Sequence, residues 1–431
     1  MNNMIQFYCY IIGGNMKKVL LVVILVLLVI GSCFGYFKYK NYKQQKDEEK
    51  KHKQLVKEIN DNYNKTVITN KETTFYTLNN KYEKKGKISK DYVLEIEKLE
   101  NDDPYYKITG TDYYISYKDV DKYDQEITVD DRYTYFIPFD NNVVIENNKK
   151  IYLENGNYIV IDEKIDKPLL VKDDDHYGFV YLNKLFYVNK EDATLKENKN
   201  SEEMKAKKVL TLTYHFIYDP DEKSCNQSIC QTISQFESHL KYLKENNYFV
   251  MKLSELEMYL DGKINIPYNS IVLTIDDGYI SDKAIRLLEQ YETYATLFVI
   301  TGHFNDFSKF YSPYLDLQSH TDGMHKQYVC KGMGNQGGGI LCAKEEDGIA
   351  DLKLSQEKLG GSDKVVYLSY PFFDFNDNAV NILKKAGFRM GFIGQWNVKG
   401  FSTVGTNKYK IPRLTVFNDT TVEKLKQALE Y

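Results

Sequence analysis

From Val209 onward the chain alternates short apolar runs with stretches of helical length, and this alternation constrains the fold more than any other feature. The apolar runs at 209–214, 271–275, 295–300, 365–370 and 390–393 have the length of strands. Helical stretches lie between them at 232–245, 282–291, 350–359 and 378–386. Repeated strand–helix alternation implies parallel strands, because a parallel crossover needs a covering element. In parallel barrels the chemistry sits at the C-terminal ends of the strands. The residues just after each run are therefore where polar clusters carry information.

The rest of the chain has different patterns. With 431 residues it exceeds one average domain and predicts two folded units plus a tail. The net charge of -4 argues against a nucleic-acid binder, since such domains are usually clearly basic. The one long apolar run, 19–37, begins with twelve uninterrupted Val, Leu and Ile residues and follows Lys17 and Lys18. Its length is close to the hydrocarbon core of a bilayer, which predicts a single-pass signal anchor over 1–37, contact with the membrane through 19–37 and an extracellular catalytic domain. A cleaved signal, or a lipoprotein signal ending at Cys33, are the alternatives. Lysines flank both ends of the run, so the positive-inside rule leaves orientation open.

Residues 38–63 are rich in Lys, Glu and Gln and predict a charged stalk. Residues 64–200 hold short β-branched and aromatic segments separated by Asn, Gly and Asp, as expected of a small β-rich accessory domain or two SH3-like barrels. A Lys- and Glu-rich linker at about 194–208 leads to a catalytic domain over 207–431. Two close cysteine pairs, Cys225/Cys230 and Cys330/Cys342, suit disulfides in an oxidising compartment and free thiols in a reducing one.

Polar clusters do follow the runs. The segment 271–275 leads directly into Asp276-Asp277-Gly278, which also reads as a plain turn and helix cap. Two of only seven histidines, His320 and His325, follow a short apolar stretch at 314–317. Five positions apart on one helix they would point to different faces, so both reach one ion only if the first ends a strand and the second starts the next turn. Two imidazoles and a carboxylate leave positions open for water and substrate; two unrelated loop histidines is the plain alternative. A third cluster, Ser369-Tyr370-Pro371-Phe372-Phe373-Asp374-Phe375-Asn376, follows 365–370 with a proline that turns the chain.

Together these segments resemble the polysaccharide deacetylase (NodB-type, carbohydrate esterase family 4) domain. Leu273-Thr274-Ile275-Asp276-Asp277-Gly278 is similar to that family's T-F-D-D-G motif, His320-Thr321 through His325 to its H-[ST]…H motif, and Tyr370-Pro371-Phe372 to its Y-P-Y-G segment. Leu212-Thr213-Tyr214-His215 and Ala295-Thr296-Leu297-Phe298-Val299 also fit. Most members have three residues between the motif histidines and this chain has four, which, with Gly334-Asn335-Gln336-Gly337, looks more like the branch that de-N-acetylates poly-β-1,6-N-acetylglucosamine.

The resemblance implies a distorted (β/α)7-type barrel and a divalent metal, zinc first with nickel or cobalt as alternatives. It places that metal on Asp277, His320 and His325, where it activates water and polarises the acetyl carbonyl. It implies Asp276 as general base and the backbone N–H of Phe372 as oxyanion donor. Tyr370, Pro371 and Arg413 are carried over as substrate contacts. The chain has no histidine after His325, where many members place a general acid. His215 is the candidate for that proton, beside a structural role and beside Asp276 returning the proton it has taken. The implied substrate is an extracellular N-acetylglucosamine polymer. Peptidoglycan or chitin-type deacetylation, O-acetyl ester hydrolysis and a catalytically inactive glycan-binding protein are the other readings.

Overall fold

In the computed structural model the described residues are 2–61, 63–97, 105–125, 131–199, 204–394 and 399–430, and most side chains before Gly35 fall outside the description. The chain divides into two compact units: one comprises 1–127 with 148–163, the other 128–147 with 164–431.

The first unit opens with a helix, Asn2–Asp61, that runs without a break through the apolar run and the charged stretch after it. The expected single-pass anchor over 19–37, with its membrane contact and extracellular placement, is corrected here: among the described residues no helix is long and apolar enough to cross a membrane. Twelve uninterrupted aliphatic residues fall short of the roughly 20 that a span needs, and beyond Phe37 the same helix carries Lys38, Lys40 and Lys43. The lipoprotein alternative hinges on Cys33, which lies outside the described side chains. After the helix come short antiparallel strands such as Thr73–Asn79, Lys81–Ile88 and Tyr158–Ile161. Tyr158–Ile161 alternates half-buried and buried positions, as a strand with one covered face does. The expected β-rich character of 64–200 is thus present, and its strands are shared between the two units.

The second unit contains the parallel sheet. Its strands are numbered here β1 (Val209–Tyr214), β2 (Phe249–Met251), β3 (Ser270–Ile275), β4 (Ala295–Val299), β5 (Leu315–Ser319), β6 (Tyr367–Ser369), β7 (Met390–Phe392), β8 (Phe401–Ser402) and β9 (Leu414–Thr415). The order is β7-β6-β5-β4-β3-β1-β8, with β2 on β3 and β9 on β1. Only β8 pairs antiparallel. Because β1 takes one edge of β3, the other edge is shared: β2 pairs with its first half and β4 with its last two residues.

All positions of β1, β3 and β4 are buried, as strands covered on both faces must be. Leu210, Leu212 and Tyr214 pack with Leu273, Phe236 and Leu240 on one face. Val209, Val272, Phe298, Met390, Phe392 and Ile411 pack on the other. Beyond β7, Phe392 makes a parallel bridge to Ile411, just ahead of β9. Helix starts are capped locally: Thr232 and Gln235 form a capping box, Ser281 accepts from the Ala284 N–H, and Asn376 accepts from the Ala379 N–H. The stretch at 314–317 belongs to a full strand, and the helix expected at 350–359 starts earlier, as Glu345–Lys358.

Candidate active site

Parallel strands present their C-terminal ends on one side, and five of the candidate residues sit on the turns there. His215 follows β1, Asp276 and Asp277 follow β3, His320 follows β5 and Phe372 follows β6. Cross-strand bonds set their depth: the Asp276 N–H donates to the Tyr214 carbonyl (2.9 Å) and the His320 N–H to the Val299 carbonyl (2.9 Å). The turns are backbone-strained. Asp277 (φ 72°), Thr321 (φ 69°), Phe372 (φ 58°) and Phe373 (φ 59°) all occupy the left-handed region, which costs an ordinary residue about 1–3 kcal/mol. Four such residues on these turns mark a geometry that the surrounding packing imposes.

Asp277, His320 and His325 each offer one ligand atom, and these atoms all lie within 4.8 Å of one another. Asp277 Oδ1 is 3.4 Å from His320 Nε2 and 3.3 Å from His325 Nε2. The His320 Nδ1–H donates to the Ser369 carbonyl at 2.7 Å, which fixes the tautomer and turns Nε2 toward Asp277. The His325 ring packs on Phe372, with centroids 4.2 Å apart. Burial pushes both imidazoles down; the charges of Asp276 and Asp277 reverse this for His320, while the His320 charge deepens it for His325, pushed down to about 4. Burial raises the Asp277 carboxyl, but its hydrogen bond from His320 and the neighbouring imidazole charges bring it below its ordinary value. Two nitrogens and one carboxylate oxygen converging with one tautomer locked fit a divalent metal.

Asp276 has a different environment. It is 1% exposed and gripped by Arg413, itself fully buried. Arg413 Nη1 donates to Oδ1 (2.8 Å) and Nη2 to Oδ2 (2.7 Å), and the Ser369 hydroxyl donates to Oδ2 (2.9 Å). Burial alone would raise this carboxyl; the Arg413 guanidinium overrides it and holds Asp276 well below the usual carboxylate range. The expectation that Arg413 contacts substrate is corrected: its remaining donors go to the Thr274 hydroxyl, the Ser369 hydroxyl and the Ile393 carbonyl, so no N–H is left for a ligand. Tyr370 and Pro371 are likewise buried side chains. The Tyr370 hydroxyl donates to the Tyr409 carbonyl, and its ring sits in the core with Leu368 and Leu383, so neither residue offers its side chain to a substrate.

His215 is nearly buried beside these groups. Its Nδ1 has no partner, its ring meets Phe373 edge-on at 5.9 Å, and burial pushes its pKa down against the raising charges of Asp277 and Asp276. Among the described residues the Phe372 N–H has no hydrogen-bond acceptor within the chain.

Three contributors escaped the sequence reading. Ser369 reaches both Asp276 and, through its carbonyl, His320. Thr274 accepts from Arg413. Asp374, 1% exposed, gathers the backbone N–H groups of Asn335, Gln336 (3.0 Å) and Gly338 (3.2 Å), while the Asn335 side-chain amide donates to the Phe372 carbonyl. All three lie in segments with a sequence signal, Thr274 in the motif before Asp276 and Ser369 and Asp374 in the cluster after 365–370, but their partners are distant in the chain. The loop after His325 is closed by the Cys330–Cys342 disulfide, and Cys225 is bonded to Cys230.

Residues 263–391 match the family model described as Polysaccharide deacetylase. A poly-beta-1,6-N-acetyl-D-glucosamine N-deacetylase of Staphylococcus aureus (strain MRSA252) is 28% identical over 253 residues, covering 52% of this chain and 83% of that protein. The protein of the same name from Staphylococcus epidermidis is 27% identical over 269 residues, covering 56% and 87%. Among solved structures, IcaB from Ammonifex degensii is 19% identical with a TM-score of 0.43, covering 53% of this chain and 99% of its own. The Streptococcus pyogenes deacetylase PplD in complex with acetate is 20% identical with a TM-score of 0.43, covering 52% and 99%.

Proposed function

This chain carries a polysaccharide deacetylase domain, and from that premise we propose that it removes N-acetyl groups from poly-N-acetylglucosamine, with a divalent metal, zinc first, held by Asp277, His320 and His325. The observation that carries the reaction is the convergence of those three ligand atoms beside a buried, charged second carboxylate. The polymer rests on the relatives named for that substrate.

A metal there supplies Lewis acidity toward the acetyl carbonyl and toward water. The rest falls to the chain. Asp276 is kept anionic by Arg413 and takes the proton of the attacking water; its two hydrogen-bonded oxygens fix its direction. The Phe372 N–H, with no internal acceptor, donates to the oxyanion as the carbonyl becomes tetrahedral. His215 gives a proton to the leaving amine. Its burial and its unpartnered Nδ1 support that role, and because burial keeps it neutral it must first receive the proton that Asp276 took from water, which returns Asp276 to its carboxylate. The opposite-face alternation of the strands and the Phe392–Ile411 bridge support a distorted (β/α)7 barrel closing through β9, with 207–431 as the catalytic domain.

Acetate release from poly-N-acetylglucosamine and from peptidoglycan, measured with metal content, tests the reading. Asp277→Ala is expected to lose bound metal and at least about 1,000-fold in rate, the loss of about 4 kcal/mol of transition-state stabilisation. Undiminished activity in that variant overturns the ligand assignment, and release from peptidoglycan alone overturns the polymer.

A further inference from the structure

The turns that hold the site residues also gather aromatic side chains on their outer side. Phe216 follows His215 directly, Tyr279 lies two residues past Asp277, and His303 and Phe304 end the turn after β4. Backbone bonds tie these turns to each other and to the metal-ligand loop. The Ile217 N–H donates to the Tyr279 carbonyl (3.1 Å) and the Ser281 N–H to the Ile217 carbonyl (2.9 Å). The Thr301 N–H donates to the Thr321 carbonyl (3.1 Å) and the Gly302 N–H to the Asp322 carbonyl (3.1 Å), next to His320.

The rings form one group. Tyr279 Oη and His303 Nδ1 are 3.1 Å apart. Phe216 meets Tyr279 edge-on at 6.1 Å and stacks on Tyr218 at 5.6 Å, and Phe304 lies 5.6 Å from Tyr279. Gly278 makes the arrangement fit: a Cβ there would come within 2.7 Å of the Phe304 ring. Tyr279 is nevertheless 42% exposed, and His303 is exposed beside it. No proton transfer or metal ligation in the proposed reaction uses any of these side chains.

We propose that Tyr279, with Phe216, Tyr218 and His303, forms a subsite that stacks on the sugar unit next to the one losing its acetyl group. The inference rests on the reading of the protein as an N-acetylglucosamine polymer deacetylase and adds how the polymer is distinguished from a single sugar. A pyranose ring offers an apolar C–H face ringed by hydroxyl and amide groups. An aromatic face with a polar tip matches both parts: the rings cover the C–H face, and the Tyr279 hydroxyl and His303 imidazole meet the ring's polar edge. Tyr279 stands two steps along the chain from Asp277, at most about 7 Å, which is the scale of neighbouring sugars.

The test compares acetate release by the full chain from a single N-acetylglucosamine β-glycoside and from a β-1,6-linked pentasaccharide. In Tyr279→Ala the fall in kcat/KM on the pentasaccharide is expected to exceed the fall on the single sugar by about five- to tenfold, chiefly through KM. Tyr279→Phe retains the stacking face and most of that preference. His303→Ala, an exposed change that does not threaten folding, loses part of it. Equal losses on the two substrates, or none on the pentasaccharide, overturn the subsite while acetate release by the wild type upholds deacetylation. A wild type that releases acetate from neither substrate overturns the deacetylase reading, and the subsite with it.

Discussion

Replacing Arg413 by Met keeps most of its volume and removes both guanidinium donors to Asp276, leaving it the Ser369 hydroxyl alone. Both partners are essentially inaccessible, at 0% and 1% side-chain exposure, so water cannot take the place of the guanidinium. Breaking a buried pair from one side leaves an uncompensated charge and costs about 3–5 kcal/mol. For a unit of this size that lowers Tm by roughly 6–20 °C. The loss has a pH signature. In the wild type the Asp276 carboxyl lies below its unfolded value, so the stability from the pair is present above about pH 4 and is lost only as pH falls through the lower folded value. In Arg413→Met burial dominates and pushes the carboxyl up. The folded state then favours the protonated acid, and the variant regains stability as pH falls. Urea unfolding of chelator-treated protein, with no metal charge in play, measures this. The gap between wild type and variant should shrink by at least about 1 kcal/mol between about pH 8 and pH 5. Arg413→Met combined with Asp276→Leu should recover most of the loss, as a double-mutant cycle on one buried pair requires. A gap below about 1 kcal/mol, constant with pH and unrelieved in the double variant, would refute the reasoning.

Two further expectations test how the site is held. Asp374→Asn weakens a carboxylate that accepts from three backbone N–H groups and should lower deacetylase activity about tenfold or more, with faster proteolysis within 326–338; unchanged activity and protection would remove Asp374 from the support of Phe372. Arg132→Met breaks the largely buried pair with Glu255 (2.5 Å) and should cost about 2–4 kcal/mol in urea unfolding, whereas a loss under about 1 kcal/mol would mean that 128–147 is not fastened to its unit through this pair.

Most of the parallel sheet was legible because its strands are buried on both faces and so read as continuous apolar runs. β5 was read only as a short apolar stretch because Asp316 and Gln318 interrupt it; the Gln318 side-chain Oε1 accepts from the Val366 and Tyr367 N–H groups, so a polar residue serves the sheet there. The early start of Glu345–Lys358 was hidden by Gly348, which reads as a break. A Cβ there would meet Ile382 at 2.7 Å, which accounts for the glycine, and the acidic residues before it suit a helix N-terminus.

The sequence alone determined that a strand–helix domain carries Asp276, Asp277, His320 and His325 on the turns after its strands, because local periodicity and turn chemistry are short-range. It misjudged the apolar run at 19–37, since among the described residues no helix is long and apolar enough to cross a membrane. Tertiary structure decided which side chains meet. Arg413 stands 137 positions from Asp276 and reaches it only because β9 lies against β1, and that contact turned an expected substrate residue into the partner of Asp276. The strain at Asp277, Thr321, Phe372 and Phe373, the loop gathered by Asp374 and the exposed aromatic group at Tyr279 have the same origin: they depend on which turns the sheet brings together, and strand order is not written in the spacing of any one segment.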